Sequence, residues 1–132
     1  MESVKQLKHK LVDNSFKRSK CPLSCTLDII GDKWTLLIIR DLLRGKSRYN
    51  DFLESEEGIT TNILANRLHR LEQAGLITKK PYQDNPVRYD YELTATGEGL
   101  KPVIFRIIDW ADKYIPGTAN VDKYRSMADH NL

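Results

Sequence analysis

Long apolar runs, cysteine and, in one particular helix, acid are what this sequence has least of, and each shortage excludes a class of protein. Apolar residues never continue for the roughly 18 positions that a membrane span needs. The N-terminus, MESVKQLKHK, also lacks the apolar core of a secretory signal. The expectation is a chain that stays in the cytoplasm and meets no membrane. In that compartment two neighbouring cysteines, Cys21 and Cys25, read as reduced, reactive or metal-bound thiols rather than as a structural disulfide. There is no glycine-rich loop for a phosphate, no His paired with a carboxylate at usable positions and no cluster of metal ligands. A zinc ion at the lone CxxxC would need completion across a dimer or by the distant His9 or His130. No enzyme, cofactor or metal site is expected, and an enzyme using Cys21 as nucleophile would have no partners for its chemistry.

What is present is ordinary globular material. The 132 residues, 40% hydrophobic and 30% charged, fit one domain with a single core. Lys+Arg 21 against Asp+Glu 18 leaves +3, too little by itself to argue for nucleic acid. Distribution carries more: acids gather in DFLESEE, whereas the stretch from Thr60 to Arg70 contains none.

Residues 1–20 are rich in lysine and read as an N-terminal extension. From Pro22, which suits a first helical turn, Leu23, Leu27 and Ile30 repeat at helical spacing until Gly31. A second helix carries Trp34, Leu37, Ile38 and Leu42 on one stripe and ends near Gly45. SRYNDFLES is a short helix with Ser47 as its expected N-cap.

The next helix begins at Thr60 or Thr61 and stops at Gly75. Leu64, Leu68 and Leu71 stack on one side, and Asn62, Asn66, His69, Arg70 and Gln73 gather roughly opposite. Beyond it the period becomes two. Val87, Tyr89, Tyr91 and Leu93 alternate with charged residues as a half-buried strand, LITKK is a weaker partner, and PYQDNP is the expected loop between them. The last helix, about 96–115, is apolar over an arc wider than docking on its own domain requires, so a homodimer is expected. Residues 117–132 form a polar tail.

Two helices, a short helix, a helix, a hairpin and a long helix make a mainly α chain with a β-hairpin. That is the order of a winged helix-turn-helix domain with flanking dimerisation helices. The helix after the short one enters the major groove in that architecture, and the hairpin is the wing. An outward face of amides and cations without carboxylates suits nucleic acid.

The segments CP, LDIIGDKWTLLIIRDLLRG, RYNDF, GITTNILANRLHRLEQAGLI, PVRYDYELTATGEGLKPVI and WAD resemble the HxlR-type, MarR-like family of bacterial winged-helix transcription regulators. The resemblance implies a cytoplasmic, nucleoid-associated homodimer, most commonly a repressor, with residues 21–116 as its DNA-binding and dimerising unit. It also implies a sensor of oxidants or electrophiles, because several members sense them through a cysteine at the position of Cys21. This chain departs from the family pattern at Asp32, where glycine is commoner, and at Arg70, where an acid is commoner.

Within that frame Asn62, Asn66 and Arg67 occupy the helix half that reaches base edges, where Asn pairs with adenine and Arg with guanine. Thr60, Thr61 and Arg70 complete the face, and His69 lies farther along it. Arg48, Tyr49 and Asn50 open the supporting helix, where N–H groups and a cation favour a phosphate. Lys80 and Arg88 flank the hairpin and could follow the backbone or minor groove. The alternative for each group is a polar surface that meets only water. Trp34 and Trp110 read as core or dimer-interface residues.

Cys21, as N-cap before Pro22, would face unpaired N–H groups with Lys17, Arg18 and Lys20 upstream, a setting that favours the thiolate. Its alternative is an inert interface cysteine. Cys25 reads as a buried small apolar residue one turn on, and an intersubunit bond is the more plausible oxidised form than a bridge within one helix. The reading is therefore a dimeric regulator on an inverted-repeat, double-stranded operator. Its rival is a winged helix that serves only as a protein-interaction module.

Overall fold

A computed structural model describes residues 18–119 and 121–124 of the chain. The extension expected over 1–20 lies almost wholly outside the described residues. Helix α1 (Pro22–Ile30) starts as the proline predicts, with Cys21 as N-cap, and Gly31 closes it through an N–H bond to the Leu27 carbonyl at 2.8 Å. Helix α2 (Thr35–Leu43) begins just after Trp34 because one oxygen of Asp32 accepts from the Trp34 and Thr35 N–H groups at 3.0 and 3.1 Å. Asp32 thus satisfies donors that a helix start leaves open.

The short helix α3 (Tyr49–Leu53) has Arg48, not the expected Ser47, as its N-cap. The Asp51 carboxylate accepts the Arg48 N–H at 3.2 Å, while the hairpin claims Ser47: its carbonyl accepts the Tyr91 N–H at 2.7 Å and its hydroxyl donates to Asp90. Helix α4 (Thr61–Gln73) follows with Thr60 as N-cap, and Gly75 at φ 79° turns the chain out of it.

Strands β1 (Ile77–Asp84) and β2 (Val87–Leu93) form a two-stranded antiparallel ribbon, with Ile77 opposite Leu93 and Asp84 opposite Val87. The loop expected over PYQDNP shrinks to Asn85-Pro86, whose peptide bond is cis. Pro81 enters β1 opposite Tyr89, and the register shifts between Pro81 and Gln83. A ribbon has two free edges, so a proline without an N–H fits there beside a bulge.

The single last helix expected from periodicity is two: α5 (Ala95–Glu98) and α6 (Lys101–Tyr114). The Thr94 hydroxyl accepts the Gly97 N–H at 3.1 Å and donates to the Gly75 carbonyl at 2.7 Å, fixing a separate turn between wing and helix. Gly97 lies so close to the Leu76 carbonyl that a Cβ there would sit 2.1 Å from its oxygen. Pro102 then opens α6 near its N-terminus. The tail also acquires structure, a 3-10 turn over Val121–Tyr124 whose Tyr124 ring lies 5.8 Å from the Arg44 guanidinium.

The core joins Ile38, Ile39 and Leu42 of α2, Phe52 of α3, Leu64, Leu68 and Leu71 of α4, Ile77 of β1 and Ile104 of α6. It holds α4 with its apolar stripe inward, which leaves the opposite stripe outward.

Candidate nucleic-acid interface

With Leu64, Leu68 and Leu71 buried, the outer face of α4 presents Thr61, Asn62, Asn66, His69 and Arg70 to solvent, and Thr60 is exposed at its start. Tyr49 secures the helix start: its hydroxyl donates to the Thr61 carbonyl at 2.7 Å. Tyr49 is therefore half-buried and tied to α4, while its neighbours Arg48 and Asn50 are exposed.

Arg67 sits differently from its neighbours. Its Nε donates to Asp32 Oδ2 at 2.8 Å, its Nη1 donates to Asn66 Oδ1 at 2.6 Å, and its side chain is 21% exposed. The cation expected at a base edge also joins α4 to the start of α2. Burial pushes the Asp32 carboxyl up, but hydrogen bonds from Thr35, Arg67 and the Trp34 N–H outweigh it and hold the group at about 2.

Arg48 is bonded to the ribbon. Its Nε lies 3.1 Å from Asp90 Oδ1 and its guanidinium sits 3.8 Å from the centre of the Tyr82 ring. Arg48, Asn50, Tyr82, Arg88 and Tyr89 line a cleft of about 570 Å³ between α3 and the wing. Arg88 is exposed there, whereas Lys80, also exposed, lies 3.3 Å from Glu92 across the ribbon. The structure thus gathers Arg48, Asn50 and Arg88 around one cleft, sets Asn62, Asn66 and Arg70 on one helix face, and leaves Lys80 on the ribbon paired with an acid.

Sequence patterning missed the groups that set these elements in place. Arg40 donates to both carboxylate oxygens of Glu57 and to Asp41, and Ser55 also bonds Glu57. Hydrogen bonds from Arg40 hold the Glu57 carboxyl at about 2. The acids of DFLESEE read only as a local cluster of charge, yet one of them, Glu57, anchors the turn before α4. Tyr82, which stacks on Arg48, carried no signal beyond its place in an expected loop.

Cys21 is exposed at the start of α1, and the N–H groups of Ser24 and then Leu23 lower its thiol below the ordinary value. Cys25 is half-buried rather than buried, and its Sγ donates to the Ser19 carbonyl at 3.4 Å. Arg18, expected to support the thiolate, lies 2.6 Å from Asp28. Lys17 lies outside the described residues. Among those described, no group of His, Cys, Asp and Glu could hold a metal, and no helix is long and apolar enough to cross a membrane.

Known proteins are similar to this chain in sequence and in fold. The model of the HxlR-like helix-turn-helix family matches residues 29–119. The HTH-type transcriptional regulator YdeP of Bacillus subtilis is 40% identical over 94 residues, 71% of this chain and 73% of the relative. The redox regulator HypR, solved in its oxidised form, superposes with a TM-score of 0.64 at 32% identity over 70% of this chain and 96% of its own. The reduced form of the transcriptional regulator YodB from B. subtilis gives 0.63 at 30% identity over 75% and 98%.

Proposed function

This chain belongs to the HxlR-like helix-turn-helix family, whose members are transcription regulators and not enzymes, and from that premise we infer that it is a homodimeric, cytoplasmic repressor of an inverted-repeat operator. The observation that carries the reading is the outer face of α4, where Asn62, Asn66, His69 and Arg70 are exposed and no carboxylate interrupts them. Such a face offers donors to base edges in a major groove and repels nothing on a polyanion. Arg48, Asn50 and Arg88, around the cleft between α3 and the wing, suit the phosphates that flank it. Residues 21–116 act together as the binding and dimerising unit.

Dimerisation has support in α6. Val103, Ile107, Trp110 and Tyr114 line its outer side and are 39%, 49%, 59% and 58% exposed, with Leu23 and Leu27 of α1 exposed as well. A row of this size is costly to leave in water. A second copy would cover it and set two recognition helices about one turn of DNA apart.

The signal in this reading is an oxidant or electrophile acting at Cys21, whose exposed, N-capping thiol has the backbone donors that favour a thiolate. In the oxidised dimer an intersubunit disulfide forms as two thiols lose two electrons and two protons to the oxidant. HypR is named a redox regulator and has been solved in oxidised and reduced forms. A fluorescence-anisotropy titration on the DNA upstream of the protein's own gene, against a scrambled duplex, tests both parts. Preference for the upstream duplex that changes when oxidant is added supports them. Equal, weak binding to both duplexes counts against the operator reading.

A further inference from the structure

The side chain of Asn66 is not free to choose how it faces DNA. A guanidinium can only donate, so the Asn66 atom 2.6 Å from Arg67 Nη1 must be the amide oxygen, Oδ1. Arg67 is itself held, because its Nε lies 2.8 Å from Asp32 Oδ2. Asp32 in turn is fixed by the Trp34 and Thr35 N–H groups at the start of α2. Three side chains in sequence therefore lead from the half-buried cap of α2 to one amide on the exposed face of α4.

We propose that Asp32 and Arg67 are positioning residues that fix the Asn66 amide with its NH2 outward, so that Asn66 reads a keto base, guanine or thymine, in preference to adenine. The proposal rests on the reading that α4 enters the major groove. A free asparagine pairs with adenine by accepting from N6 with its oxygen while donating to N7 with its nitrogen. Here the oxygen is drawn toward the Arg67 guanidinium, and the nitrogen is the group turned to face a base. Guanine offers O6 and N7 and thymine offers O4, all acceptors. Adenine offers the nitrogen only N7, and its N6 donor would need the second lone pair of an oxygen already turned toward Arg67.

The test is selection from randomised duplexes by the full-length protein and by three variants: Asn66→Ala, Arg67→Met and Asp32→Asn. Asn66→Ala is expected to flatten one symmetry-related pair of operator positions, at which the unaltered protein selects a keto base. Arg67→Met and Asp32→Asn are expected to move that position, and no other, toward adenine by about tenfold. A merely structural role would lower affinity at every position together. Should Arg67→Met not fold, Arg67→Lys preserves the ion pair with Asp32 but lacks the second nitrogen for Asn66, and the same shift is expected. The proposal is overturned if the position that Asn66→Ala flattens keeps its base in the Arg67 and Asp32 variants, or if the unaltered protein selects adenine there. If Asn66→Ala flattens nothing, or no sequence is selected, the major-groove reading of α4 falls and takes this proposal with it.

Discussion

Arg40 donates from its two terminal nitrogens to the two carboxylate oxygens of Glu57, each at 2.9 Å, and so fastens α2 to the turn that leads into α4. Its Nε reaches Asp41, which is 3% exposed. Arg40→Met would leave that buried carboxylate without its nearest cation. The expected loss is about 3 kcal/mol of unfolding free energy, read from urea denaturation. Loss of less than half that amount would mean that the turn before α4 is held by apolar packing alone.

The same ion pairs set the response to acid. The Glu57 carboxyl titrates at about 2 because Arg40 bonds it, and the Asp32 carboxyl also stands at about 2 because bonds from Thr35 and Arg67 outweigh its burial. In the unfolded chain such groups titrate near about 4. Both folded values are depressed, so their contribution is complete above the unfolded value and disappears as pH falls from there through about 2. Each group is partly open to water, which limits its share to about 1 kcal/mol. Glu57→Gln and Asp32→Asn should each flatten the decline of stability between these limits in pH-dependent denaturation.

The helix-turn-helix order, the inward stripe of α4 and the ribbon were legible because each rests on local periodicity: Leu64, Leu68 and Leu71 repeat at helical spacing, and Tyr89 and Tyr91 alternate with charges. The parts that were not legible depend on distant partners. Nothing near Arg67 in sequence announces that Asp32 will hold it, and nothing near Gly97 announces the Leu76 carbonyl beside it. The break between α5 and α6 carried local marks in Gly97, Gly99 and Pro102, whereas the close contact at Gly97 exists only once the wing has folded back.

That junction gives a third expectation. A Cβ at Gly97 would meet the Leu76 carbonyl oxygen at 2.1 Å, and the obstacle is backbone rather than a side chain that could swing away. Gly97→Ala should cost about 3 kcal/mol by forcing the wing and α5 apart. Thermal unfolding reads the loss, and Gly99→Ala, where the nearest contact is 3.1 Å, is the milder control.

Base and phosphate contacts separate by their response to salt. Arg88 is exposed beside the cleft between α3 and the wing, so Arg88→Ala should weaken binding to all duplexes alike and reduce the slope of log K against log salt by about 1. Asn62, on the outer face of α4, should behave otherwise: Asn62→Ala is expected to cost about 1–3 kcal/mol on the operator alone, with the slope unchanged. Anisotropy titrations over a salt series distinguish the two. A uniform loss for Asn62→Ala would remove it from the base-reading set.

Cys21, the N-cap of α1, and Cys25, one turn on, differ in chemistry. Cys21 is exposed and its thiol is lowered by the N–H groups of Ser24 and Leu23, whereas Cys25 is half-buried and donates to the Ser19 carbonyl. A lowered thiol value enlarges the thiolate fraction at neutral pH, and the thiolate is the nucleophile that attacks alkylating agents. The rate of iodoacetamide labelling at Cys21 should therefore reach half its plateau at a pH below that of an ordinary thiol, with Cys25 labelled more slowly throughout. If DNA affinity falls on oxidation through Cys21, Cys21→Ser must keep full affinity in oxidant while Cys25→Ser still responds. Equal labelling of the two cysteines, or an oxidant response that survives in Cys21→Ser, would place the sensor elsewhere in the chain.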